Sequence, residues 1–384
     1  RIGRSAGSLY AVSTAGSIIG TLATSFWLIP VFQVGPLIVG AGMLLAASAV
    51  LTFALPAHDR PARHELTGRS WARGVAVVAV AAVLTGAFVL GGVVRPSAVA
   101  YDGSAILFER DTEYHRVLVT ESDGVRTLLF DRSRQTSVSV EDPTVSRLRY
   151  TDYLHLALAV NPEARRVLVL GLGGGALPAR MLRDYPAMTI DAVEIDPVVV
   201  DVARRFFSLP EDDRLSVHVM DARRWVQGTE ERYDVIVVDC YYADAIPFHL
   251  MTQEFFEELD GVLEPGGVVA YNLISAVEGD RSELFRSLYR TAGTVWDHAW
   301  VFPVERRDGR ESLRLTRNIV MLASDSRVSR QTLLERVESR VDGQVTVEGF
   351  ERFGERLYTG VVGQADVPVL TDSYAPTDSL IRVD

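Results

Sequence analysis

The chain has 384 residues, enough for two or three domains, and its acidic residues outnumber the basic ones to give a net charge of -11. This acidic excess argues against a nucleic-acid-binding surface, so no nucleic acid partner is expected. A single cysteine excludes an internal disulfide and a cysteine-rich metal site, and the seven histidines show no metal-ligand spacing, so no metal is expected.

The first 98 residues are predicted to be a membrane region with three transmembrane helices. The segments Ser8–Pro30, Val34–Ala57 and Gly74–Val94 contain no charged residue, and each reaches the roughly 20 residues that a membrane span requires. The sequence starts with Arg1 instead of methionine, which indicates a piece of a longer membrane protein. The lipid bilayer is therefore a predicted partner, and the predicted location is the cell membrane with several crossings.

Residues 99–142 are predicted to form a small β-hairpin domain. Alternating apolar positions at 117–119 and 127–129 flank Asp123-Gly124, a dipeptide that is typical of tight hairpin turns. A helix predicted from Pro143 to Val160 follows, and it opens the next domain.

That domain, predicted over residues 143–325, begins with an apolar strand at Val167–Leu170. Glycines 171, 173, 174 and 175 follow directly, and a helical pattern comes next, so a ligand could approach the backbone N–H groups at this turn. A second strand, Thr189–Val193, ends on Glu194. A carboxylate at that strand end can accept both hydroxyl groups of a ribose, which predicts a nucleoside site.

Further strands end in acidic residues at the same predicted edge. Leu215–Met220 is followed by Asp221-Ala222, and Asp234–Val238 by Asp239. A fifth strand near residue 268 and an antiparallel pair at 299–304 and 318–323 complete an α/β fold with a mostly parallel, seven-stranded sheet. Residues 326–384 are predicted to be a C-terminal extension of one helix and a loop.

The glycine pattern also fits a dinucleotide site, so a nicotinamide enzyme is one alternative. The acidic residues at three strand ends, followed by Glu264-Pro265-Gly266-Gly267, instead resemble the S-adenosylmethionine-type Rossmann fold. In that family Glu194 would bind the ribose and Asp221 the adenine amino group.

The order of a small β-domain and then this Rossmann fold resembles the polyamine aminopropyltransferases, the spermidine synthase family. The stretches GRSAGSLYAVSTAGSIIGT and LTDSYAP are similar to its membrane-fused bacterial and archaeal members. The resemblance implies a membrane-anchored enzyme that moves an aminopropyl group from decarboxylated S-adenosylmethionine to a small-molecule amine and releases methylthioadenosine. As a further hypothesis, it forms a homodimer.

The resemblance assigns roles to individual positions. Asp239 matches the catalytic aspartate, whose chemical task is clear because an ammonium group has no lone pair and must lose a proton before it attacks. Tyr150, Tyr242 and Asp244 are expected to contact the amine. The positions expected to bind the nucleoside are Gln135, Gly171, Gly173, Gly175, Glu194, Asp221, Ala222 and Pro247.

Three departures from the family pattern leave the acceptor open. Gly174 stands where the family has an aspartate that faces the amine, Thr151 replaces a histidine, and Tyr242 replaces a second aspartate. Weak or no activity with putrescine is expected, and Gly174→Asp is expected to raise that activity if the loop accommodates a side chain.

Two other functions stay open at this point. One is an S-adenosylmethionine-dependent methyltransferase of the same fold, and the other is a non-catalytic nucleoside-binding domain. The membrane side is open as well. Four arginines between Ala57 and Gly74 predict a cytoplasmic loop, which places the following domain outside, whereas S-adenosyl compounds are made in the cytoplasm.

Overall fold

The structure is a computed structural model that describes residues 2–28, 37–43, 45, 103–242, 245–306 and 308–380. The chain divides into two compact units. One comprises Arg1–Ile106 and Arg110–Glu113, and the other comprises Leu107–Glu109 and Tyr114–Asp384.

The first unit contains the helix α1 (Ile2–Ala23), which continues into a π-helical turn at Thr24–Leu28. Residues 37–43 are also helical.

Within the described part of the chain, no helix combines the length and the apolar character that crossing a membrane requires. This finding does not support the predicted span Ser8–Pro30, in which serine, threonine and glycine residues interrupt the apolar ones. The predicted span Gly74–Val94 lies outside the described residues, and so does most of Val34–Ala57.

Four strands form a small sheet in the order β1-β2-β3-β4. Their bounds are Ala105–Asp111, Arg116–Ser122, Val125–Phe130 and Ser133–Ser139. Strands β2 and β3 are antiparallel and pair Ser122 with Val125, so Asp123 and Gly124 form a two-residue turn. Both turn residues have positive φ, 51° and 70°, which is the conformation that such a turn needs. The predicted hairpin is confirmed.

A short irregular segment precedes the next helices, where the sequence predicts one helix from Pro143. The side chain of Asp142 accepts a hydrogen bond from the backbone N–H of Thr144 (3.0 Å), and Ser146 forms a β-bridge with Val138. These contacts keep the chain beside β4, so helical structure begins only at Tyr150. It comprises α2 (Tyr150–Tyr153), a 3-10 turn (Leu154–Leu156) and α3 (Ala157–Val160).

Seven strands form the large sheet in the order β10-β11-β9-β8-β5-β6-β7. Strands β5 to β9 pair in parallel, and β11 pairs antiparallel with β9 and β10, so the predicted mostly parallel sheet and its antiparallel pair are confirmed. From β5 to β11 the bounds are Arg166–Leu170, Thr189–Glu194, Leu215–Val219, Tyr233–Val238, Leu263–Ser275, His298–Pro303 and Arg317–Ser324.

The remaining helices connect these strands or follow them. From α4 to α10 they are Ala176–Asp184, Pro197–Phe206, Ala222–Gly228, Gln253–Gly261, Glu283–Ala292, Arg330–Glu338 and Thr377–Leu380.

Apolar side chains pack against both faces of the large sheet. Successive residues of a strand point to opposite faces, and accordingly Val167 and Val169 of β5 belong to one buried cluster, whereas Leu168 and Leu170 belong to the other. Residues after 326, including Val347 and Phe350, pack into the first of these clusters. The C-terminal residues therefore complete the hydrophobic core.

Strand β5 lies between β6 and β8 in the interior of the sheet. The chain leaves β5 to one side through α4 and β6, and β8 lies on its other side. Ligands of open α/β sheets bind at such a reversal of strand order, beyond the carboxyl ends of the strands. The fold thus places the candidate site next to Gly171, Glu194 and Asp239.

Candidate functional site

A cavity of about 250 Å³ lies at the carboxyl ends of β5, β6 and β8. It is lined by most of the residues that the sequence singled out for nucleoside and amine binding. They are Gln135, Tyr150, Gly171, Gly173, Glu194, Asp221, Ala222, Asp239, Tyr242 and Pro247. Asp244 lies outside the described residues.

Gly171 allows β5 and β8 to approach closely at the floor of the cavity. Its φ of 94° is rarely adopted by other residues, and a Cβ atom there would collide with the carbonyl oxygen of Asp239. The backbone N–H of Asp239 in turn donates to the carbonyl of Leu170 (2.8 Å). Glycine at this position therefore lets the backbone of Asp239 lie against β5, and this contact sets the position of the Asp239 side chain.

Gly175 does not line the cavity, although the sequence predicts that it binds the nucleoside. It precedes α4 in a left-handed conformation (φ 76°), and a Cβ atom there would collide with the side chain of Leu209. The tight turn into α4 and the close packing against Leu209 require a glycine here. No contact with a ligand is needed to explain it.

The carboxylate of Glu194 is held in place by the glycine turn. One carboxylate oxygen accepts the backbone N–H groups of Leu172 (3.2 Å) and Gly173 (3.4 Å), and the other accepts that of Asp196 (3.1 Å). Only 7% of Glu194 is exposed. Burial raises the pKa of Glu194, and these three hydrogen bonds oppose that rise. The result is an oriented hydrogen-bond acceptor in the cavity wall.

Asp221 has two carboxylate oxygens with different surroundings. Its Oδ1 accepts the backbone N–H of Arg224 (3.0 Å) and so caps the N-terminus of α6. Its Oδ2 lies 3.6 Å from Nε2 of His249, another cavity residue that the sequence did not indicate. The cap fixes the side chain at the edge of the cavity and leaves the second oxygen on the side of His249.

Asp239 accepts hydrogen bonds from two side chains. The Tyr150 hydroxyl donates to Oδ2 (3.1 Å) and the Asn272 amide donates to Oδ1 (2.8 Å). Burial raises the pKa of Asp239 to about 6, although both hydrogen bonds favour the charged form. Burial and then the charge of Asp239 raise the pKa of Tyr150 well above its usual value, so its phenol remains a donor. Asp239 can therefore take up a proton near neutral pH.

Asn272 was missed at the sequence level. It lies in the C-terminal half of β9 with 1% exposure, and its amide oxygen accepts a hydrogen bond from the Asn318 amide (3.0 Å) of β11. A buried polar residue in an apolar strand needs a hydrogen-bond partner, and this is the signal that could have indicated it. The relay from Asn318 through Asn272 orients the Asp239 carboxylate.

Aromatic rings form the opposite wall of the cavity. His115 stacks on Phe130 with ring centroids 4.2 Å apart, and the Tyr242 ring lies 4.8 Å from that of His115. Tyr242 is 57% exposed, so it is at the rim of the cavity. His115 and Phe130 were not predicted, because the sequence does not show that the small sheet closes one side of this cavity.

Gly174 does not offer the position for an amine-facing carboxylate that the sequence suggests. Its N–H donates to Oγ1 of Thr136 (2.8 Å). A Cβ atom at Gly174 would lie 2.7 Å from Cγ2 of Thr136 and 3.0 Å from the ring of Phe207. A side chain there would point into packed neighbours that belong to β4 and to the end of α5.

We therefore expect Gly174→Asp to destabilise the fold by about 1–3 kcal/mol, the usual cost of overpacking. Activity on putrescine (1,4-diaminobutane) is expected not to rise. Thermal unfolding and a turnover assay would measure both effects. Gly228→Asp is the matched control, because a Cβ atom at Gly228 has no neighbour within 4 Å. A variant as stable as the control with higher diamine turnover would contradict this expectation.

Among the described residues, no group of three or more His, Cys, Asp or Glu side chains could hold a metal ion.

The strand order and the position of the cavity define the class of the protein, which has the Rossmann-like α/β fold of S-adenosylmethionine-dependent methyltransferases. Residues 148–277 match the family model described as "Spermine/spermidine synthase domain". The crystal structure of spermidine synthase from Thermotoga maritima shares the fold with a TM-score of 0.53 and 18% identity, over 66% of this chain and 84% of that chain.

Curated relatives share sequence as well. The polyamine aminopropyltransferase of Vibrio vulnificus (strain CMCP6) is 28% identical over 287 residues, which are 72% of this chain and 92% of that protein. The polyamine aminopropyltransferase of Chromobacterium violaceum is 33% identical over 182 residues, which are 47% of this chain and 69% of that protein. The chain belongs to the polyamine aminopropyltransferase (spermidine synthase) family and is a transferase.

Proposed function

We propose that the chain transfers the aminopropyl group of decarboxylated S-adenosylmethionine to an amine and releases methylthioadenosine. The observation that carries this proposal is that Glu194, Asp221 and Asp239 meet in one cavity at the reversal of strand order. Two of these carboxylates are suited to hold a nucleoside, and the third has the pKa of a base that works near neutral pH.

The nucleoside half of the cavity is assigned to residues that the fold fixes in place. Glu194 accepts the ribose hydroxyls, and Asp221 with Ala222 receives the adenine. Gln135, from the small sheet, contacts the nucleoside, and Pro247 covers the adenine. The backbone of Gly171 and Gly173 lines this half of the cavity and is proposed to contact the ligand.

Asp239 is assigned the proton transfer. The donor supplies an electrophilic carbon beside a sulfonium. Asp239 takes a proton from the acceptor ammonium, and the freed lone pair forms the new C–N bond as the C–S bond breaks, so that sulfur leaves as a neutral thioether. Tyr150 orients Asp239 through its hydroxyl, and Tyr242 lines the path of the amine at the rim. Asp244 is proposed to contact the amine as well.

The pH dependence of kcat/KM should report the pKa of Asp239. A carboxylate base works when it is deprotonated, so with a pKa of about 6 activity is expected to fall as the pH is lowered through 6. Tyr150→Phe removes a hydrogen bond to the charged form, so the acidic limb should move to higher pH with the same amine. Tyr185→Phe is the control, since its hydroxyl contacts His155 (2.7 Å) and the residue does not line the cavity. An unshifted limb in Tyr150→Phe would argue against Asp239 as the base.

Calorimetry of the full chain with decarboxylated S-adenosylmethionine, S-adenosylmethionine and methylthioadenosine tests the assignment of the donor. The proposal predicts binding of the decarboxylated donor and of methylthioadenosine. Binding of S-adenosylmethionine alone, followed by methyl transfer to an acceptor, would instead establish a methyltransferase.

We also propose that the chain is attached to a membrane through its first 98 residues, which carry the uncharged segments Val34–Ala57 and Gly74–Val94. The full-length product is expected in the membrane fraction and should resist carbonate extraction. Recovery in the supernatant without detergent would contradict the attachment. Reporter fusions after Arg95 would show which side of the membrane the enzyme occupies.

A further inference from the structure

A second cavity of about 410 Å³ adjoins the first on the side of Tyr150 and Tyr241. The two cavities share Gln135, Leu148, Tyr150 and Tyr241 in their walls, and Asn272, which donates to Asp239, lines the second one. A molecule whose amine reaches Asp239 from the side of Tyr150 and Asn272 would therefore place its other end in this second cavity.

The second cavity is lined by more cationic than anionic side chains, and we call it the arginine cavity. Its two carboxylates are Glu305 and Asp308. Its five guanidinium groups belong to Arg134, Arg147, Arg149, Arg306 and Arg317.

Three of these arginines are held by protein groups. Arg306 pairs with Asp308 (2.7 Å), and Arg149 pairs with Asp152 (2.9 Å). The side chain of Arg317 is only 1% exposed; it donates to the carbonyl of Ser312 (2.8 Å) and lies 3.7 Å from the carboxylate of Glu311, and its Nε has no hydrogen-bond partner within the described residues. Arg317 therefore brings a buried guanidinium with an unmet N–H donor to the wall of the cavity.

The other two arginines are available to a ligand. Arg134 and Arg147 are exposed, and within the described part of the chain neither side chain makes an ion pair or a hydrogen bond. A guanidinium group binds carboxylates through parallel N–H donors, whereas an ammonium group brought beside these charges would be repelled. The distal end of a diamine therefore fits this cavity poorly, and a carboxylate fits it well.

We propose that the arginine cavity binds a carboxylate on the acceptor, so that the acceptor is a primary amine that also carries a carboxylate. This inference rests on the proposed aminopropyl transfer. The reaction is otherwise unchanged: the amine nitrogen forms the C–N bond, the C–S bond breaks, Asp239 receives the proton, and the carboxylate is a spectator held by Arg134 and Arg147.

Two acceptors of equal length test this inference. 1,4-Diaminobutane and 4-aminobutanoate share one amine and differ only in whether the distal group is an ammonium or a carboxylate. With decarboxylated S-adenosylmethionine, the wild-type chain should show a kcat/KM at least about tenfold higher with 4-aminobutanoate, the scale of one charged hydrogen bond. Amino acids with three- and five-carbon chains extend the series.

Charge reversal at the two available arginines should invert this preference. In the double variant Arg134→Glu/Arg147→Glu, use of 4-aminobutanoate should fall by about tenfold or more, and use of 1,4-diaminobutane should rise. A merely structural defect would lower both. The matched control is Arg132→Glu, an exposed position in the turn just before β4 that lines neither cavity, and its preference should equal that of the wild type.

The same assays separate carboxylate binding in the arginine cavity from aminopropyl transfer itself. Methylthioadenosine release with 1,4-diaminobutane, but not with the carboxylated amines, would overturn the inference and leave aminopropyl transfer standing. If no amine serves as a substrate, calorimetry of the chain loaded with methylthioadenosine measures whether 4-aminobutanoate binds. Absence of that binding overturns the inference. If the double variant loses affinity only for S-adenosylmethionine, the carboxylate belongs to the donor and the acceptor assignment is wrong.

Discussion

Asp239→Asn is expected to lower turnover by roughly 10²- to 10⁴-fold, the usual contribution of a positioned general base, while nucleoside affinity stays nearly unchanged. Asparagine keeps the size of the side chain, and its oxygen can still accept the Asn272 amide that now donates to Oδ1 (2.8 Å). The Tyr150 hydroxyl can rotate to accept from the new amide group. The variant therefore removes the proton acceptor with little change in packing.

Initial rates with saturating donor and amine would measure this loss, and methylthioadenosine titration would measure the retained affinity. Asp201→Asn is the matched control, because Asp201 is an exposed residue of α5 that pairs with Arg205 (3.0 Å) and lines neither cavity. Turnover of Asp239→Asn within a few-fold of the control would place the base elsewhere.

Glu194→Gln is expected to weaken methylthioadenosine binding by about 1.5–3 kcal/mol, the scale of hydrogen bonds to a charged group. Two effects contribute. The ribose loses a charged acceptor, and the new amide group must face backbone N–H groups of Leu172, Gly173 or Asp196, which are themselves donors.

Calorimetry gives the affinity, and circular dichroism with thermal unfolding separates it from loss of fold. Glu211→Gln, at an exposed position away from the cavity, is the control. An unchanged dissociation constant for both Glu194→Gln and Asp221→Asn would refute the proposed nucleoside site.

The nucleoside half of the site could be predicted from the sequence because it depends on strand ends. Carboxyl ends of parallel strands meet at one edge of a sheet, so Glu194, Asp221 and Asp239 had to lie near one another once the strands were recognised. The Asp123-Gly124 turn and the antiparallel pair β10–β11 were predictable for a similar reason, since local turn chemistry and apolar patterning determine them.

The acceptor half could not be predicted in the same way, because it depends on tertiary packing. The arginine cavity brings together side chains from β4, from the segment before α2, and from both ends of the β10–β11 connection. What a side chain at position 174 would meet is likewise decided by Thr136 and Phe207, which are distant in sequence. Only the pairing of β9 with β11 brings Asn318 to Asn272 and so to Asp239.

Aminopropyl transfer is proposed to take place at the cavity that contains Asp239. The most direct measurement is mass spectrometry of the full chain incubated with decarboxylated S-adenosylmethionine and the amine panel, with Asp239→Asn in parallel. We expect the wild type to form methylthioadenosine and, in equal amount, an amine enlarged by one aminopropyl group, and we expect both products to be nearly lost in the variant. Release of S-adenosylhomocysteine from S-adenosylmethionine, with no aminopropylated product from any amine, would contradict this expectation.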